Sequence, residues 1–158
     1  MAQQRNVKLS KIVNEFSLEI LHKGKDYDEA ALTIVDVNRP GLQFAGFFEY
    51  FDPRRLQVEG KAEHTYLDTL TPEARKKSYS DLFSYDIPAL VLSRAMEPSP
   101  ECVEAAREHG RTLLRTDETT VIFTSQMIDA LNRYLAPCIT RHGVLMDIYG
   151  EGVLIMGD

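Results

Sequence analysis

The feature that most constrains this chain is a repeated alternation of short apolar runs with segments that open on helix-start signatures. Ala89-Leu90-Val91-Leu92-Ser93 carries almost no polarity, so it reads as a central strand covered on both faces. Ser99-Pro100-Glu101 then opens a helix. Ser supplies the N-cap, Pro sits where a missing N–H costs nothing, and Glu lies near the positive end of the dipole. Arg107 and His109 in its last turn and Gly110 just beyond end that helix. Thr112 to Leu114 is the next strand. Thr71-Pro72-Glu73 repeats the start signature for a helix running to about Ser84. Strands and helices alternating at this spacing call for a sheet covered by helices, an α/β fold.

The remaining segments extend the pattern. Leu9, Ile12, Val13 and Phe16 lie at helical spacing, and Leu18 to Leu21 is a short strand candidate. Thr33-Ile34-Val35-Asp36-Val37 is rich in β-branched residues and reads as a strand. Arg55 to Val58 reads as another, ending at Gly60, with a helix over 62–70. Asp117 and Glu118 lead into a long helix whose apolar face is Phe123, Met127, Ala130, Leu131 and Tyr134. Pro137 breaks it. The expected architecture is three-layer α/β/α, with a mixed sheet of about five or six short strands. The expected division is an N-terminal α/β domain over 1–136 and a hairpin over 137–158 that opens a second unit, with Gly150 and Gly152 in its turn.

Composition narrows the function. A length of 158 residues, 44% of them hydrophobic, suits one domain with a real core. A net charge of −6 argues against a nucleic-acid backbone binder, which presents a basic face. The polar start lacks a signal-peptide core, and no run approaches the ~18 apolar residues of a membrane span. No membrane partner and a cytoplasmic location are expected. Cys102 and Cys138 form no C-x-x-C pair and read as free thiols of a reducing compartment. His22, His64, His109 and His142 share no ligand spacing, so no metal site is expected.

Three clusters are candidates for function. Asn38-Arg39-Pro40-Gly41 has Pro then Gly, which suits the centre of a type II turn. It follows a strand, where α/β sheets tend to hold ligands, and the Arg39 fork suits a carboxylate or phosphate. Asn38 and Arg39 are therefore the possible ligand or interface residues; the plainer reading is that they bond backbone and dock the next segment. That segment holds Phe44, Phe47, Phe48, Tyr50 and Phe51, expected to pack in the core or form an interface, with Gly46 allowing a close backbone approach. Arg75-Lys76-Lys77 reads as a solvated helix face.

The end of the chain is more specific. His142-Gly143-Val144-Leu145, Asp147, Tyr149-Gly150 and Gly152-Val153-Leu154-Ile155 form a strand, a glycine turn and a second strand leading to Gly157-Asp158. An aliphatic strand ending in Gly is how a phosphate-binding loop begins. This stretch resembles the opening of the catalytic domain of bacterial HPr kinase/phosphorylase. Two further blocks resemble the same family: Val37 to Leu42 with Ala45 to Phe51, and Ser84 to Pro88 with the strand Ala89 to Leu92. The likeness runs from about Lys8 to Asp158.

The resemblance implies a bifunctional enzyme of carbon catabolite control. It phosphorylates a serine of the phosphocarrier HPr with ATP or pyrophosphate, using Mg²⁺, and removes the phosphate by phosphorolysis. It implies that His142 is the catalytic-site histidine and that Gly157 and Asp158 begin the ATP loop. The Lys and Ser/Thr of the loop, the general base and the Mg²⁺ ligand are expected beyond residue 158. On that reading the chain is the N-terminal half, inactive by itself and structural or regulatory, from a parent that is a hexamer. Its hairpin has lost its sheet neighbours, and is expected to be disordered, folded back or paired with another copy. The family's first domain resembles in fold the N-terminal domains of Mur ligases, which hold a uridine nucleotide. The alternative is a stand-alone domain of this fold that binds a small nucleotide-like ligand, or another protein through Phe47 to Phe51.

Overall fold

A computed structural model describes residues 5–137. The chain enters through β1 (Val7–Lys8) and α1 (Leu9–Glu15), then β2 (Glu19–His22), β3 (Ala31–Leu32) and β4 (Val37–Asn38). There follow α2 (Gly41–Phe44), β5 (Leu56–Glu59), α3 (Lys61–Asp68), α4 (Pro72–Phe83) and β6 (Leu90–Leu92). Finally come α5 (Pro100–His109), β7 (Leu113–Arg115) and α6 (Thr120–Leu135). The main sheet has five strands in the order β2-β7-β6-β5-β4, and β1 pairs with β3 in a separate two-stranded sheet. β4 to β7 run parallel in chain order, while β2 is antiparallel to β7.

That order explains the layers. Each crossover from β4 to β7 steps the same way across the sheet, so right-handed connections leave their helices on one face. Phe44, Leu67, Tyr79, Phe83, Cys102 and Ala106 of α2 to α5 there share a core with Leu90, Leu92 and Leu113. The other face is covered by the two helices outside the crossovers. Ile12 of α1 and Phe123, Met127 and Leu131 of α6 pack there on Leu56, Val58, Val91 and Leu114, with Val7 and Leu32 of the small sheet. β6 shows the alternation within one strand: Leu90 and Leu92 enter one core, Val91 the other, and all are fully buried. Each such side chain stabilises the fold by about 2 kcal/mol.

The helix signals act where the sequence puts them. Thr71 and Ser99 accept from the N–H groups of Ala74 and Cys102 at 3.1 and 3.2 Å. Gly110 is left-handed, with φ 67°. α6 is capped by Thr119, which accepts from Ile122 N–H, a cap the sequence reading did not identify. The helix ends at Leu135, and Ala136 is extended before Pro137 as a residue preceding proline prefers.

Four expectations are corrected. The strand expected over Thr33 to Val37 does not form: β3 of the small sheet ends before it at Leu32, 33–36 are a connection, and only Val37 is strand, the first residue of β4 in the main sheet. β-branched composition marks a segment fit for pairing but does not choose its partner. The aromatic segment does not enter the core as a block. Phe44 is buried edge-on to Tyr79, whereas Phe48, Phe51 and Tyr85 pack on one another and Phe47 and Tyr50 are exposed. Gly46 serves conformation, with φ 98° and open space around it, not a close approach. Arg75 is no solvated cation either. It donates to the carbonyls of Leu67 and Leu70 and to Glu101, each at 2.9 Å, and so ties off the end of α3.

Candidate functional site

Because β4 to β7 are parallel, their carboxyl ends gather at one edge of the fold, where strands hand over to helices. Asn38 and Arg39 stand at the end of β4, Glu59 and Gly60 at the end of β5, and Ser93 just past β6.

Asn38 bonds side chains, not backbone. Its Nδ2 donates to Gln57 Oε1 at 2.7 Å and to Gln43 Oε1 at 3.0 Å. Gln57 is fully buried, and its own amide donates to the Arg55 carbonyl at 2.9 Å. A polar side chain is tolerated in that position because each of its ends is bonded. Arg39 Nη2 donates to Glu63 Oε1 at 2.9 Å. The same oxygen accepts the Gly60 N–H at 2.6 Å. A carboxylate at the third helical position bonding back to the cap residue is half of a capping box, here made by α3. The expected type II turn is absent: Phe44 N–H bonds the Pro40 carbonyl, and Gly41 enters α2 without a positive φ.

Gly60 is the tightest point. A Cβ added there would stand 2.4 Å from Arg39 Nη2 and 2.8 Å from Thr120 Oγ1. Thr120 Oγ1 is 2.6 Å from Ser93 Oγ, which in turn donates to the Glu59 carbonyl at 3.1 Å. Ser93 and Thr120 are both buried. Next to them Arg94 and Ala95 are left-handed, with φ 58° and 52°. Two such residues cost about 1–2 kcal/mol each. They are held because Arg94 N–H bonds the Glu118 carbonyl at 2.7 Å and Ala95 N–H the Thr116 carbonyl at 2.8 Å. The strain presents the exposed Arg94 side chain at the end of the central strand.

Beneath this surface lies a group the sequence reading missed. Glu59 is fully buried. Tyr79 Oη donates to its two oxygens at 2.9 and 3.0 Å, and His64 Nδ1 lies 2.7 Å from Oε2. Burial pushes the Glu59 carboxyl up, and the His64 and Tyr79 bonds pull it partly back. The Glu59 bond lifts His64 above its ordinary value in spite of burial. Burial holds the Tyr79 hydroxyl well above the usual phenol range. The available signal was a carboxylate on a strand otherwise reading as core, with a histidine in the first turns of the following helix.

The structure thus brings Asn38 and Arg39 together with Gln43, Gln57, Gly60 and Glu63. His142, Gly157, Asp158, Cys138 and the expected hairpin lie outside the described residues. Cys102 is a free, buried thiol. Among the described residues no cluster of His, Cys, Asp or Glu could hold a metal ion, and no helix is long and apolar enough to cross a membrane. The Asn38 and Arg39 donors at this edge tie β4 to β5, α2 and α3.

Comparison with known proteins adds a family. The family described as HPr Serine kinase N terminus matches residues 7–135. The HPr kinase/phosphorylase of Clostridium tetani is 42% identical over 152 residues, covering 96% of this chain and 49% of that protein. That of Peptoclostridium acidaminophilum is 43% identical over 157 residues, covering 99% and 51%. The chain spans about half the length of the curated relatives it matches. Among solved structures, the CBS and DRTGG domains of the regulatory region of Clostridium perfringens pyrophosphatase, complexed with the activator diadenosine tetraphosphate, superpose with a TM-score of 0.55 at 16% identity. That match covers 83% of this chain and 51% of the other, and at this identity it speaks for the fold alone.

Proposed function

This chain belongs to the HPr serine kinase N-terminal family, and from that premise we propose that it is the non-catalytic N-terminal half of an HPr kinase/phosphorylase. The full enzyme phosphorylates a serine of HPr with ATP or pyrophosphate and reverses the step by phosphorolysis, in the cytoplasm. The observation that carries this reading is a match over nearly the whole chain to only half of each relative. The described residues build a closed two-faced core and no metal-binding cluster. On this reading ATP and Mg²⁺ are held by the second unit of the whole enzyme, outside the described residues. His142 would stand in the active site of the whole enzyme, and Gly157 and Asp158 would open its ATP loop, in a second unit beginning near Pro137.

The role of this half is regulatory or structural, exercised through the Asn38–Arg39 edge and the exposed Phe47 and Tyr50. The test compares this chain with the full-length gene product, using HPr, ATP and Mg²⁺. Only the longer protein should phosphorylate HPr. Inactivity of both would overturn the assignment of the parent activity, and phosphorylation by this chain would overturn its non-catalytic role.

A further inference from the structure

β5 delivers one fully buried carboxylate into the face covered by α3 to α5, and two helices answer it. Tyr79 of α4 donates to Glu59, and His64 of α3 meets it through Nδ1. The His64 side chain is 21% exposed, so its outer edge reaches water while its inner nitrogen is held. Other charges face the pair from the same elements. Glu63 of α3 acts on Glu59, and Asp68 of α3 and Arg75 of α4 act on His64. Arg75 is already engaged by Glu101 and two carbonyls, and Cys102 of α5 lies against Tyr79. Among the described residues, His64 is the one cationic partner of Glu59.

A bare carboxylate in such a place is strongly disfavoured. The cluster therefore needs one proton, on the imidazole with Glu59 ionised or on the carboxyl with His64 neutral. The same short bond joins the groups in both forms, so the proton belongs to the pair. We propose that Glu59, His64 and Tyr79 form a one-proton latch fastening α3 to β5, and that losing the proton as pH rises releases the first turn of α3 and the Arg39 loop. The path is short: Glu63, next to His64 in the chain, bonds both Arg39 and the Gly60 N–H.

The sign follows from the directions of the shifts. The folded value of His64 is raised above 6.5, so its contribution is complete below that pH and is lost as pH rises through the folded value. Glu59, raised above 4.5, loses its contribution in the same direction. Tyr79 is raised too, so its hydroxyl remains a donor through this window.

The test is a titration of the His64 ring by ¹⁵N–¹H NMR in this chain, alongside Glu59→Gln and His64→Gln. His64 should keep its Nδ1 proton and titrate above 6.5 in the wild type, and at or below 6.5 in Glu59→Gln. Amides of the first turn of α3 and of residues 39–41 should lose hydrogen-exchange protection, corrected for intrinsic rate, as pH passes the His64 midpoint. Tm should fall by about 2–4 °C per pH unit there and stay flat over that window in Glu59→Gln, whereas His64→Gln, which keeps the buried carboxyl without its cation, should still lose stability as pH rises. A shared midpoint in wild type and Glu59→Gln would overturn the latch, as would unchanged α3 protection. If Glu59→Gln does not fold, the wild type decides: a midpoint at or below 6.5 sinks the proposal.

Discussion

Gly60→Ala is the sharpest test of how the edge is built. The backbone at Gly60 is extended, with φ −100° and ψ −174°, so alanine adopts it without strain. Any cost must come from space and capping. The new methyl meets Thr120 Oγ1 at 2.8 Å, and that hydroxyl is pinned by Ser93 and cannot simply retreat. It also meets Arg39 Nη2 at 2.4 Å, which can swing away only by giving up Glu63. Overpacking of this kind costs about 1–3 kcal/mol. Replacing glycine by alanine at an N-cap adds roughly 0.5–1 kcal/mol. The Arg39–Glu63 pair adds at most about 1 kcal/mol, since the Arg39 side chain is 42% exposed. The expected loss is about 2–4 kcal/mol, read as a fall in the urea midpoint at unchanged m. Arg39→Ala in the Gly60→Ala background should restore roughly 0.5–1 kcal/mol relative to additivity, because it removes one of the clashes. A Gly60→Ala protein within about 0.5 kcal/mol of wild type would refute the close approach. Strict additivity would refute the Arg39 contact.

Three further outcomes are expected. Tyr50 is 92% exposed at φ 65°, so Tyr50→Gly should stabilise by about 0.5 kcal/mol in urea unfolding while Tyr50→Ala, which keeps the strain, should not. Ser99→Ala leaves the Cys102 N–H without its acceptor and should lower stability by about 1 kcal/mol by the same measure. Arg54 holds the Asp52 carboxyl down from 3.8 to about 2, so its contribution is present above 3.8 and lost as pH falls through about 2. Asp52→Asn should remove that small acid limb from the Tm profile and leave the neutral range unchanged.

Local chemistry made the helices legible. Thr71-Pro72 and Ser99-Pro100 start α4 and α5, and Gly110 ends α5, through groups within a few residues of one another. β6 was legible because it is apolar on both faces. β4 was not, because the choice between the small sheet and the main one depends on partners distant in the chain. Asn38 and Arg39 could be picked out as an unusual turn, but their partners lie up to twenty-four positions away, and no local rule points to Gln57 or Glu63.

The sequence by itself determined the α/β class, the starts of α4 and α5, the end of α5 and the apolar stripe of α6, because capping, proline geometry and periodicity act over a turn or two. The resemblance it carries determined the family. The tertiary structure decided which face each helix covers, through strand order and crossover hand. It also turned Glu59 from a polar residue at the end of a strand into a buried carboxylate answered by His64 and Tyr79. Burial and hydrogen-bond partners belong to groups brought together from separate elements, and a one-dimensional pattern does not contain them until the chain has closed on itself.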